Sequence, residues 1–285
     1  MEAMPIRPPA VAGSFYPSSP EALRRQIEEC FRGDLGPGDL PAVVDRPLQS
    51  VVGLVCPHAG YIYSGYAAAH SFASLAKDGR PDTVVLIGPN HRGLGQPISI
   101  FAKGVWHTPL GAVAVDEQIA RELVAQDNRL SDDPTAHRGE HSVEVQLPFL
   151  QYLYGDRFRI VPVAVYLVGR AAMEALGNAL AAVLPGRNAV VIASTDFTHY
   201  ESQESAKRKD SEALRNILDL NPDGLVRTVE LLDVTMCGVA PVFAMLTAAK
   251  AFGARRAVLN TYYSSGDITG DTTEVVGYAS VTVTK

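Results

Sequence analysis

The sequence predicts an α/β fold, a single three-layer domain around a mostly parallel central sheet, and three observations predict it. First, the runs 51–56, 83–88 and 188–194 are apolar almost throughout rather than alternating, the pattern of strands buried on both faces. Second, helical patterns separate these runs, as the long crossovers between parallel strands require. Third, 285 residues, of which 47% are hydrophobic, can bury one large core, so one domain over residues 1–285 is expected. Each run is also followed closely by a histidine: His58, His91 and His199. In open α/β sheets the loops past the C-terminal strand ends converge on a ligand crevice. Three imidazoles are therefore directed to one edge.

Along the chain, residues 5–17 are Pro-punctuated and extended. Ser19 caps a first helix, with Pro20 in its first turn, Glu21 on the favourable side of the dipole, and Leu23, Ile27 and Phe31 as its apolar stripe. A Gly/Pro/Asp-rich loop, 33–47, leads into strand 51–56. The small-residue helix 66–75 follows, and strand 83–88 is expected as the parallel neighbour of the first through a right-handed crossover. Short strands at 98–102 and 112–115 flank Trp106-His107-Thr108-Pro109, and Asp116 opens a helix carrying Ile119, Leu123 and Val124. Helical spacing at Val143, Leu147 and Leu150 runs through 140–150, where Pro148 is expected to kink or end the helix. Strand 159–166, an alanine-rich helix 171–184, strand 188–194, and helices at 201–219, 222–232 and 236–252 come next. Strands 257–263 and 275–283, joined by a Gly/Asp turn, close the chain.

Composition excludes several functions. A formal net charge of -6 argues against a nucleic-acid footprint, which needs clustered cations and a basic balance. Solvated helix faces explain the clusters Arg24-Arg25, Lys207-Arg208-Lys209 and Arg255-Arg256. No apolar run is long enough to span a membrane, and Met1 to Arg7 contain no apolar leader region. Cys30, Cys56 and Cys237 are too few and too scattered for a disulfide framework. A cytoplasmic protein with reduced thiols is expected.

The chemistry concentrates at the strand ends. His58 and His91, hemmed by Pro and Gly, are candidates for metal or catalytic duty rather than for pinning a loop. Asp196 precedes His199 by three residues, so a helical turn from Phe197 to Tyr200 would make them neighbours, the carboxylate fixing the imidazole for acid/base work. Asp196 as a simple helix cap is the alternative. Cys237, at an expected helix start where a thiol's pKa falls and thiolate is favoured, is equally readable as a small buried hydrophobe. Cys56 is assigned to the core. Glu140, His141 and Glu144 form a polar group able to rim the site, although the start of a helix accounts for Glu140 equally. His70, His107 and His137 are assigned structural roles. No nucleophile elbow, Walker A loop, dinucleotide fingerprint or paired CxxC zinc signature is present.

At these residues the chain resembles the Memo family, whose microbial members are called AmmeMemoRadiSam system protein B. The resemblance runs nearly end to end, through 11–17 (Val-Ala-Gly-Ser-Phe-Tyr-Pro), 57–61 (Pro-His-Ala-Gly-Tyr), 88–91 (Gly-Pro-Asn-His), 140–144 (Glu-His-Ser-Val-Glu), 196–200 (Asp-Phe-Thr-His-Tyr), Cys237-Gly238, Ser265-Gly266-Asp267 and 276–279 (Val-Gly-Tyr-Ala). It implies a fold similar to the class III (LigB-type) extradiol dioxygenases, which hold non-haem Fe(II) with two histidines and a glutamate. By that likeness His58 and His91 are the imidazole ligands, Cys237 stands where the dioxygenases place their carboxylate, and His199, with Asp196 beside it, is the acid/base residue. A thiolate there suits Zn or Cu as well as Fe(II). The resemblance thus implies a metal-dependent oxidoreductase acting on a small substrate. A non-enzymatic module holding a peptide or small ligand, to which the signalling role of eukaryotic relatives points, and a zinc-dependent hydrolase are the alternatives. The family name further implies a functional link to radical-SAM and AMMECR-type proteins.

Overall fold

Burial decides which strands form the spine. In the computed structural model, which describes residues 5–285, the Val/Ile/Leu runs become β2 (Val51–Cys56), β3 (Thr83–Pro89), β8 (Arg159–Val165) and β9 (Ala189–Ser194), nearly every residue of them buried. The leader reading rests partly on Met1 to Met4, which lie outside the described residues. Around the spine, in chain order, are β1 (Ile6–Arg7), α1 (Pro20–Arg32), α2 (Tyr61–Asp78), β4 (Ile98–Ile100), β5 (Val105–Thr108), β6 (Gly111–Ala114), α3 (Glu117–Val124), β7 (Leu130–Asp132), α4 (Leu147–Tyr154) and α5 (Arg170–Val183). The chain then supplies β10 (His199–Glu201), α6 (Gln203–Leu218), α7 (Pro222–Leu232), α8 (Val239–Ala251), β11 (Arg256–Ser264), the short α9 (Gly266–Thr269) and β12 (Val275–Thr284).

Nine strands make the main sheet, in the order β10-β12-β2-β9-β3-β8-β4-β7, with β11 on β12; β1, β5 and β6 form a small second sheet. The central β2-β9-β3-β8 pairings are all parallel. Helices cover both faces. A Cβ on Gly53 would run into Met245 of α8, whereas Cys56, three residues on and hence on the opposite face, meets Ser71 of α2. The α/β class and mostly parallel sheet are as the sequence predicts.

Four local expectations are corrected. β2 and β3 are parallel but not adjacent, because β9 pairs with both; the crossover rule sets handedness, not how many strand positions are skipped. The stretch around Trp106 is itself strand β5, in a hairpin with β6. Pro148 stands in the first turn of α4 instead of kinking or ending a helix, since a first-turn proline gives up only an N–H that has no helical partner. Residues 199–201 are extended, pairing with β12 across a bulge at Tyr200, whose φ is 58°; no helical turn follows Asp196.

A buried ion pair fastens the N-terminal segment across the body. Arg7 and Glu144 pair directly, both almost fully enclosed. Glu144 also accepts the N–H groups of Ala10 and Val11 and the Tyr16 hydroxyl, while the Arg7 guanidinium lies 4.3 Å over the Trp106 ring. Glu144 therefore holds the segment before α1 in place and does not rim the site.

Candidate metal centre

The C-terminal ends of β2, β3 and β9 open on one edge, and the candidate residues leave from there. His58, 2% exposed, donates its backbone N–H to Asp196 Oδ1 at 2.8 Å and places ring Nδ1 2.9 Å from Ser194 Oγ. The Ser194 hydroxyl proton goes to the Ser142 carbonyl at 2.7 Å, and Gln146 Nε2 donates to Ser194 Oγ at 3.0 Å. Ser194 thus has no proton left for the ring, so Nδ1 carries the hydrogen and Nε2 the lone pair.

His91 reaches the same tautomer by other means. Glu140 accepts from its Nδ1 at 2.9 Å and from its backbone N–H at 2.6 Å. The same carboxylate takes the N–H groups of His141 and Ser142, both at 2.8 Å. One side chain therefore orients the loop after β3 and the loop before α4 together. The His141 ring stacks on His91 with centroids 4.6 Å apart and also meets Phe15, tilted, at 4.6 Å.

His58, His91 and His141 present ligand nitrogens that all lie within 4.8 Å of one another. Cys237 stands beside this group: its Sγ is 3.3 Å from His58 Nε2 and receives the Asp196 N–H at 3.2 Å. Gly238 permits the approach, since a Cβ there would lie 2.5 Å from the Ser194 carbonyl. His199 sits farther out, half-buried. Its N–H donates to Thr235 Oγ1 at 2.7 Å and its Nδ1 lies 2.9 Å from the Thr235 carbonyl, leaving Nε2 with no hydrogen bond among the described residues. Asp196 binds the His58 backbone, and no hydrogen bond joins it to His199.

Protonation follows enclosure. Burial, then the neighbouring His141, His91 and His199, pulls His58 well below the usual histidine range. Burial likewise brings His141 down to about 4, although Glu140 opposes it. Both rings are therefore neutral at pH 7, the form that binds a metal. Burial acts to raise Glu140, but the His91 hydrogen bond and charge and the Ser142 N–H hold it at about 2. Asp196 is raised to about 6 by burial, against the N–H groups of His58 and Ala59 and the charge of His199. Cys237 departs from expectation: α8 starts only at Val239, the residue is half-buried, and burial with the Asp196 charge pushes the thiol's pKa up rather than down.

The other assignments resolve simply. His137 is fully buried with Nε2 3.2 Å from the Ser99 carbonyl, and His70 Nε2 lies 3.1 Å from the Leu35 carbonyl. Cys56 is core. Sequence reasoning placed Glu140 and His141 at a rim and did not consider Ser194. The available signal was the local pattern Glu140-His141-Ser142, a carboxylate next to an imidazole.

A mostly parallel α/β sheet whose C-terminal edge gathers three imidazoles, a thiol and a carboxylate defines a candidate metalloprotein. The family described as Memo-like protein matches residues 7–282, and this chain belongs to it. It is 50% identical over 277 residues to a MEMO1 family protein of Methanopyrus kandleri, covering 96% of this chain and 98% of that one. To a MEMO1 family protein of Ignicoccus hospitalis it is 46% identical over 282 residues, 98% of each chain. Its fold is similar to that of an uncharacterized protein from Escherichia coli K12, with a TM-score of 0.53 and 14% identity over 81% of this chain and 99% of that one. Among the described residues no helix is long and apolar enough to cross a membrane.

Proposed function

We propose that His58 and His91, with His141 and Cys237, hold one metal ion, Fe(II) foremost, and that the protein is a non-haem, dioxygenase-like oxidoreductase acting on a small substrate. The observation that carries this reading is the meeting of three imidazoles within 4.8 Å, two of them with Nδ1 engaged by Ser194 and Glu140 so that Nε2 is left for a ligand bond. The donor chemistry fits: imidazole with one soft thiol suits Fe, Zn or Cu, and oriented rings backed by a hydroxyl and a carboxylate are what a metal site needs. His141, already neutral, is the readier third donor. Cys237 joins by giving up its proton, so affinity rises with pH.

Bound Fe(II) would supply the one-electron chemistry by which O2 reacts with an organic molecule. The chain's own residues do the rest. His199, its Nδ1–H held by the Thr235 carbonyl, offers Nε2 as a base at the mouth of the site. Asp196, raised to about 6, can hold a proton near neutral pH. Phe15, against His141, helps keep water from the imidazoles.

Anaerobic loading with Fe(II) followed by elemental analysis tests the assignment. About one iron per chain is expected, falling by at least tenfold in a His58→Ala, His91→Ala, Cys237→Ala triple variant; undiminished metal in that variant refutes it. His141→Ala separates the two candidate third donors. Stoichiometric zinc without iron would instead favour the hydrolytic reading, and a chain that takes up no metal would favour the ligand-binding one.

A further inference from the structure

Two basic clusters that the sequence explains as solvated faces lie at opposite ends of one structural feature. β11 pairs with β12 alone, so its far edge has no partner among the described strands. α6 runs alongside in the opposite direction: Gln203 Nε2 donates to Ser264 Oγ at 3.0 Å, and the Tyr262 hydroxyl donates to Asp210 at 2.8 Å. Between them lies a groove of 360 Å³ floored by Leu214, Leu218, Leu259 and Tyr262, with Lys207 and Arg215 at its margins. A register shift leaves Asn260 as a bulge, which puts Leu259 and Tyr262, three residues apart, on the same face of the strand.

The charge around this groove opposes that of the molecule. The chain carries a net -6. Lys207 stands where α6 meets the Ser264 end of β11, in a hollow it shares with Glu204 and Asp267; Arg208 follows it on α6, and Arg255 and Arg256 stand at the start of β11. None of these four forms a close ion pair among the described residues, although Arg208 lies near enough to Glu201 to help lower the pKa of that carboxyl. Lys209, by contrast, is neutralised by Glu201 at 2.6 Å, and Arg215 pairs with Glu212 at 2.8 Å.

We propose that the free edge of β11 and the adjoining groove form a docking site for an extended acidic peptide segment of a partner protein. The segment adds a strand to the edge, sets alternate apolar side chains over the leucine floor, and places carboxylates on the two basic ends. A second copy of this chain is disfavoured, because symmetric antiparallel pairing would lay the Arg255-Arg256 end of one β11 against the Lys207-Arg208 end of its mate. Nucleic acid is disfavoured by the floor, which is three leucines and a single aromatic, Tyr262, tied through its hydroxyl to Asp210, where base stacking needs several free aromatic faces.

The probe is a fluorescein-labelled peptide, EEVTVTVEE, titrated against the full chain by fluorescence anisotropy at low and moderate salt. Saturable binding is expected, weakening as salt rises. Binding should also weaken about tenfold when Lys207→Glu and Arg256→Glu are combined, and return in that variant with the charge-swapped KKVTVTVKK. Hydrogen exchange should slow at 256–261 when EEVTVTVEE is bound. EEVTPTVEE, which lacks the central ladder donor, should bind more weakly. The proposal is overturned by absence of EEVTVTVEE binding, by equal binding of the acidic and basic peptides to the wild-type chain, by self-association through β11 in sedimentation, or by a single-stranded oligonucleotide that displaces the peptide.

Discussion

Glu140 carries more of the candidate site than any single ligand, because one carboxylate fixes His91 and the His141 loop together. Glu140→Gln keeps the volume but loses the charge-assisted bond, and removal of such a supporting group typically lowers metal affinity about 10–100-fold. Isothermal titration with Zn(II) checks this; unchanged affinity would mean the histidines orient themselves. His58 and His91 were legible in the sequence because each sits just past a buried strand. His141 was not, because its loop follows no such run and its place between Glu140 and Glu144 marks only a polar group able to rim the site.

His137 offers a pH prediction away from the site. Burial and then Arg7 lower its pKa from 6.5 to about 4. Above pH 6.5 it is neutral folded or unfolded. Between pH 6.5 and 4 only the unfolded chain takes up the proton, so stability falls with falling pH by a total of about 3 kcal/mol. Urea unfolding from pH 7 to 4 should show this slope reduced in His137→Gln, and the ring resonances of the wild type should titrate near 4. A midpoint near 6.5 would contradict the assignment.

Among elements, the N-terminal segment and the loop before α4 depend on the same buried pair. Removing one member leaves the other charge enclosed, so Glu144→Ala should cost about 3–5 kcal/mol. Calorimetry should record a Tm lower by roughly 10 °C, and amide exchange should quicken at Ala10 and Val11, whose N–H groups lose their acceptor. A change under about 1 kcal/mol would show the pair to be replaceable by water. Helix starts were readable where a side chain marks them: Ser19 and Asp116 accept from Ala22 and Ile119 as their capping patterns imply. Other boundaries were not. The stretch after Asp196 has residues that suit a turn or a strand, and only the edge of β12, about 75 residues later, selects the strand. Cys237 likewise reads as a helix-start thiol, yet the helix begins two residues later and the enclosure that raises its pKa comes from elements distant in sequence.

Over the whole molecule, the apolar runs made the parallel sheet legible but not its order. β9 enters between β2 and β3 although residues 90–188 separate it from β3, and no local pattern encodes that. The order matters for function, since it sets the loops after β2, β9 and β3 side by side and so brings His58, Asp196 and His91 to one edge. An ion held there ties together segments from His58 to Cys237, and binding only the folded state should stabilise the chain by about 4 kcal/mol at a thousandfold excess over Kd. Differential scanning calorimetry with and without metal checks this, with a Tm rise expected for the wild type and none for His58→Ala.

The most direct measurement is X-ray absorption spectroscopy of protein loaded anaerobically with Fe(II) or Zn(II). A first shell dominated by imidazole nitrogen at about 2.0–2.2 Å, with a sulfur scatterer near 2.3 Å that vanishes in Cys237→Ala, is the result predicted. A shell of oxygen alone, or a spectrum that does not change when His58 and His91 are removed, would contradict it.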